Sequence, residues 1–391
     1  MSTVPRRGQN RLRIAYASAS DLAAGRFMDA WNWFDITPAT LGVTTATDWF
    51  DYPDMSFSQD WLYISVRHGF WNAALNAGGN EIGQQVWGDR RWFIRANLND
   101  MVNRVASPGL VYYEAFANLL KDSRIAQSPS GAMYFAGQKD SSTLVVFADP
   151  DASPDVPAGK EVPIYSFCAN TAIATCDYSV TAPDGLNWNV APHGVLGATY
   201  VAPPGPICPP TGCLNPTRFV YFAFDGGRNN SDGRPFPYVR VVKMDADKIE
   251  VVSEWDIWHP NHAYATPGLT WRPGSSLDDV AVTLASGGGA FYGHNAVGFL
   301  NDPVLYSTTE SDVTQTDGAG TVRFGDYFDV RNATGMPSPL GQGVGYSTLG
   351  YSVTRIVSGS SCQAAGCNIT LRFTLFGRNS ELFPSPGPII K

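Results

Sequence analysis

Five histidines, His68, His193, His259, His262 and His294, are the whole imidazole supply of this 391-residue chain. Imidazole titrates near neutral pH, so each is a candidate acid or base. His262 and His294 flank one strand-rich unit and are expected to share a cavity. His259 and His262 stand three apart across Pro260, a spacing that suits a metal pair but has no carboxylate beside it. A second group is Arg323-Phe324-Gly325-Asp326-Tyr327, with Arg331 following. Arginine grips carboxylates bidentately and Asp or Tyr exchanges protons, as an acidic-sugar hydrolase or lyase requires. The competing reading is structural: Gly325 permits a bend, Asp326 caps a turn and Tyr327 packs. A third group is Arg67-His68, directly after the apolar run Leu62–Val66 and near Trp61, Trp71, Trp87 and Trp92. Exposed tryptophan would stack on sugars, whereas buried tryptophan would pack between sheets.

The elements that must position these residues read as strands. Short apolar or alternating runs recur, bounded by Gly, Pro, Asn and Asp: 11–18, 30–36, 60–66, 91–98, 131–137, 143–149, 218–224, 238–244, 279–286, 323–330 and 368–376. Helical spacing is confined to 107–121 and to a turn at 98–105. With 39 Gly, 28 Pro and 13% aromatic residues, the chain suits many short strands with tight connections. Asp51-Tyr52-Pro53 and Ala265-Thr266-Pro267 each precede an apolar strand in the same way, which marks a repeat. A four-stranded sheet cannot cover both its faces alone, but radial stacking can. The expected fold is an all-β propeller of five or six blades, six being favoured, closed by its N- and C-terminal strands. Residues 11–378 form that single domain, between tails 1–10 and 379–391.

Six cysteines fall into three near-neighbour pairs, Cys168 with Cys176, Cys208 with Cys213 and Cys362 with Cys367. None has the Cys-x2-Cys spacing of a zinc site, and short spacings in Gly/Pro-rich loops suit local disulfides made in an oxidising compartment. The opening residues, Met1–Arg7, hold no apolar signal-peptide core, so secretion is an inference about the natural precursor. No run is long and apolar enough to span a bilayer. A net charge of −8 argues against nucleic acid as a partner. No cofactor is expected, although the loops Asp149-Pro150-Asp151 with Asp155, and Asp245-Ala246-Asp247, offer oxygen ligands for a structural Ca²⁺. Sequons begin at Asn229, Asn332 and Asn368.

The segment Arg323-Phe324-Gly325-Asp326-Tyr327 resembles the R-[WF]-G-D-Y run of a loosely defined group of secreted propellers of sialidase-like type. His262-Ala263-Tyr264-Ala265, Gly287-Gly288-Gly289 and His294-Asn295-Ala296-Val297-Gly298 are similar to the same group. The resemblance implies the propeller and an extracellular setting, and little chemistry. Sialidases carry S-x-D-x-G-x-x-W boxes, of which Asp184-Gly185-Leu186-Asn187-Trp188 is the nearest approach here, with altered spacing. Two functions follow as expectations. One is an extracellular binding or structural module whose loops recognise a glycan or protein, with self-assembly open to it. The other is a glycoside hydrolase or polysaccharide lyase with its site on the propeller axis.

Overall fold

The computed structural model describes residues 11–43, 48–72, 84–115, 117–120, 123–127, 131–153, 155–188, 194–203, 216–272, 275–302, 305–314, 324, 328–332, 345–355 and 367–377. They form a five-bladed β-propeller, nearly all strand. Blade I holds β3 (Asp48–Phe57), β4 (Trp61–Asn72), β5 (Gln84–Asn97) and β6 (Leu110–Ala115). Blade II holds β7 (Ala132–Asp140), β8 (Thr143–Pro150) and β9 (Gly159–Pro163), with 123–127 bridged to β7 through Ile125 and Phe135 as its inner strand. Blade III runs β10 (Gly197–Val201), β11 (Phe219–Gly226), β12 (Tyr238–Asp245) and β13 (Glu250–Ile257). Blade IV runs β14 (Ala263–Trp271), β15 (Val280–Gly288), β16 (Phe291–Phe299) and β17 (Tyr306–Ser307); blade V has β18 (Asp329–Asn332), β19 (Tyr346–Arg355) and β20 (Cys367–Phe376).

Five inner strands therefore surround the axis, one fewer than the favoured six. A chain of hydrogen bonds links them at nearly constant sequence spacing. Gln127 Nε2 donates to the Met55 carbonyl (3.2 Å) and Thr199 Oγ1 to the Gln127 carbonyl (3.2 Å), each 72 residues apart. The Trp271 amide donates to Thr199 Oγ1 (3.0 Å), 72 residues on, and Asn332 Nδ2 to the Trp271 carbonyl (3.0 Å), 61 residues on. Blade V returns to blade I through Arg331, whose Nη2 lies 2.6 Å from Asp54 Oδ1. The N- and C-terminal strands share no ladder among the described residues. Instead β1 (Leu12–Ala17) pairs with β2 (Trp31–Ile36) in a separate two-stranded sheet. The apolar face of that hairpin, Ile14, Phe34 and Ile36, is buried on Leu62, Ile64, Val66 and Ile94 of blade I.

Aromatic and branched residues fill the wedges between blades. Phe93 of blade I stacks on Phe135 of blade II at 4.0 Å, and Phe135 on Phe147 at 5.0 Å. Each such side chain contributes about 1.5–3 kcal/mol by leaving water. The expected helix over 107–121 is replaced by β6 and the single turn α1 (Ala117–Leu120). Tyr113 and Ala115 are buried two apart and pair against β5, so the period is that of a strand. The short helix Leu98–Val102 lies where a helical turn was expected.

Candidate functional site

Strand direction decides which loops share a rim. Successive inner strands run the same way: Asp54 Oδ2 accepts from the Ile125 amide (3.0 Å) one residue before the Met55 level. The Gln127 amide bonds the Ala198 carbonyl (2.9 Å) and the Tyr200 amide the Gln127 carbonyl (2.8 Å), the alternation of a parallel bridge. The starts of β3 and β14 thus open on one rim, called upper here, along with the ends of β4 and β15 and the start of β16.

Both proline motifs noted in the sequence are bulges inside inner strands, not loops preceding them. Pairing shifts between Asp51 and Asp54 in β3 and between Ala265 and Gly268 in β14. Proline has no amide to give a ladder, so the strand takes an extra residue there. The residue before each proline is left-handed, Tyr52 at φ 50° and Thr266 at φ 48°, an unusual state for side chains of this size. Thr266 is held by its amide on Asp225 Oδ1 (2.7 Å), and Tyr52 by its amide on Asp51 Oδ1 (2.8 Å).

Below the first bulge sits a charged cluster on the axis. Arg331 Nη2 contacts Asp54 Oδ1 at 2.6 Å and Asp329 Oδ2 at 2.5 Å, and Arg124 Nη1 stands 3.5 Å from Asp329 Oδ1. Asp54 is almost sealed, while 25% of the Asp329 side chain and 37% of Arg331 remain accessible. Burial raises the Asp329 pKa, against the pull of Arg331 and Arg124. Burial also opposes the Arg331 charge, but Asp329 and Asp54 outweigh it and its pKa is raised. The Arg331 predicted as a binding residue thus joins blades V and I, two acids and two arginines neutralising one another.

The upper rim of blade IV gathers His259, His262 and His294. The His259 and His262 rings stack at 4.0 Å, and His294 lies 6.3 Å from His262. Phe291 and Tyr264 meet His262 edge-on at 5.3 and 5.0 Å. Burial, reinforced by His259 and His294, holds His262 down to about 4, and its Nδ1 is enclosed with no hydrogen-bond partner. Burial also lowers His294, opposed by its bond to the Tyr292 carbonyl and by Glu310. The imidazoles are half-buried beside the exposed ring of Phe291 (45%), whereas Trp258, next to His259 in sequence and also exposed (40%), lies beneath the Arg234 guanidinium at 4.5 Å. Trp258 and Phe291 were not singled out in the sequence; their signal was their place beside His259 and the Gly287–Gly289 turn.

Other candidates are placed as follows. Arg67 and His68 are buried at the rim of blade I, with His68 Nδ1 3.6 Å from Glu114 Oε1. His262 and His294 do come together, whereas Arg323, Asp326, Tyr327 and His193 lie outside the described residues. Phe324 packs against Tyr351 (4.8 Å), Phe328 and Trp188. Trp92 is buried and Trp61 donates to the Asp151 carbonyl; nothing is described of the Trp71 and Trp87 side chains. Cys168–Cys176 is a disulfide, and Cys367 is also bonded; Cys208, Cys213 and Cys362 lie outside the described residues. In the Asp loops read as oxygen ligands for Ca²⁺, Asp149 Oδ2 accepts from Tyr113, Asp151 Oδ1 from Tyr63 and Asp245 Oδ1 from the Asp247 and Lys248 amides, while Asp149 Oδ1 and Asp151 Oδ2 are buried without a hydrogen bond. Among the described residues no three His, Cys, Asp or Glu side chains are grouped to hold a metal, and no helix is long and apolar enough to cross a membrane.

No family model matches the chain, and no curated protein matches it. Among solved structures, a thermostable family-43 glycoside hydrolase is similar over 87% of this chain and 96% of that one, at 10% identity and a TM-score of 0.33. A likeness of that degree carries no argument about what this chain does.

Proposed function

We propose that the protein is an extracellular binding propeller that reads a glycan on the upper rim of blade IV. The observation that supports this is the packing of exposed Phe291 on His262 and His294, with His259 stacked on His262. Flat aromatic faces take the apolar side of a sugar ring, and imidazole nitrogens reach its hydroxyls. The disulfide and the absence of a membrane-crossing helix among the described residues fit an extracellular setting. So does the resemblance to secreted sialidase-like propellers, of whose motif only Phe324 is described. The reading is tested by glycan-array binding followed by calorimetry on the best ligand. Phe291→Ala is expected to weaken binding about tenfold, roughly 1.4 kcal/mol. An array without a ligand, or a ligand indifferent to that substitution, sinks it.

A hydrolase on the axis is the second reading, and one observation favours it. Asp54 and Asp329 bond the same Arg331 nitrogen, which holds their nearest oxygens within about 5 Å, in the range of two carboxylates acting on one glycosidic bond. Against it, both acids are tied up in ion pairs, and Asp54 is almost sealed. Release of reducing sugar that disappears in Asp329→Asn would favour this reading over binding alone.

A further inference from the structure

The outermost strand of blade V differs from those of blades II, III and IV. Edge strands expose unpaired backbone, and proteins blunt them with charge, proline or shortness. Here β9 carries Lys160, Glu161 and Pro163, β13 carries Glu250, Glu254 and Asp256, and β17 has two residues. By contrast β20 is ten residues long, pairs only with β19 among the described residues, and has Arg372 as its one charge. Along it Ile369, Leu371 and Phe373 are 54%, 66% and 56% exposed.

That same strand opens with the sequon Asn368-Ile369-Thr370, and Asn368 and Thr370 are both exposed. The other two sequons are committed to the fold. Asn229 is buried, donates to Asp232 and accepts from its own sequon serine, Ser231. Asn332 donates to Trp271 in the belt around the axis. The neighbouring Cys367 is disulfide-bonded, which fits the oxidising compartment in which such sequons are modified.

We propose that Asn368 carries an N-linked oligosaccharide and that this glycan blunts the β20 edge. In the transfer, Asn368 Nδ2 attacks the anomeric carbon of a polyprenyl-diphosphate-linked oligosaccharide supplied by the secretory machinery. The C–N bond forms, the anomeric C–O bond to diphosphate breaks, the amide nitrogen loses a proton and the lipid diphosphate leaves. A bulky, hydrated group at the start of the strand then keeps a second flat edge from docking along Ile369, Leu371 and Phe373.

The full chain, secreted from a eukaryotic host, tests this by peptide mass spectrometry and sedimentation. Occupancy is expected at Asn368, with Asn229 and Asn332 bare. Asn368→Gln and Thr370→Ala should lose the glycan, and Thr370→Ser should keep it. Enzymatic deglycosylation of the folded wild type, which needs no variant to fold, should shift the protein to dimers or larger species. A bare Asn368, equal occupancy at the buried sequons, or a deglycosylated protein that sediments unchanged overturns the proposal.

Discussion

At the scale of single residues, two buried titratable groups pull stability in opposite directions with pH. Burial lifts Asp149, wedged between blades I and II, to about 6, against the opposing influence of Arg95 and Tyr113. The folded state then holds its proton more tightly than the unfolded chain does, so this group costs stability as pH rises from about 4 to 6. The full shift corresponds to about 3 kcal/mol. His262 behaves inversely. Its folded pKa of about 4 lies below the ordinary 6.5, so stability is lost as pH falls through that window. Asp149→Asn should therefore flatten the loss on raising the pH from about 4 to 6, and His262→Phe should lessen the loss on lowering it. Urea midpoints measured from pH 4 to 7 would separate the two. Residue identity alone did not reveal these environments: Asp149 reads as a calcium-loop oxygen until β5 and β6 bring Arg95 and Tyr113 over it.

Elements explain where the sequence was legible. Apolar runs such as Tyr221–Phe224 announce buried strands because both faces of a blade are covered. The period of two in Leu110–Ala115 was masked by Leu119 and Leu120, whose spacing from it imitates a helix. The inter-blade wedge makes a firm prediction: Phe135→Ala removes the ring stacked between Phe93 and Phe147 and should cost about 3–5 kcal/mol in denaturant unfolding. The disulfide makes a gentler one. Cys168 and Cys176 are eight residues apart, so their link closes a short loop, and Cys176→Ser should cost about 2–3 kcal/mol while leaving strand content by circular dichroism unchanged.

For the molecule as a whole, the blade count was the part the sequence concealed. The inner strands recur at 72 residues through Met55, Gln127, Thr199 and Trp271, yet these share no residue type. The belt uses backbone groups or whichever side chain reaches them, so geometry repeats where identity does not. Likewise Asp54 and Arg124 are remote in sequence from each other and from the neighbours Asp329 and Arg331, and the sequence offered no reason to bring the four together. Breaking that cluster is the test at this scale. Arg331→Met leaves Asp54 and Asp329 without their shared cation and should destabilise by about 3–5 kcal/mol. Hydrogen exchange should rise first in β18 and β19, and a uniform rise across all blades would contradict the seam.

That blades I and V share no strand among the described residues has a mechanical side. A ring clasped by a ladder resists an outward pull with many hydrogen bonds loaded together in shear. Among the described residues this seam carries an ion pair, Arg331 to Asp54, where a clasped ring would carry a ladder. Tension on the end of blade V loads that contact, and because it is ionic, the force at which the seam opens should fall as salt is added.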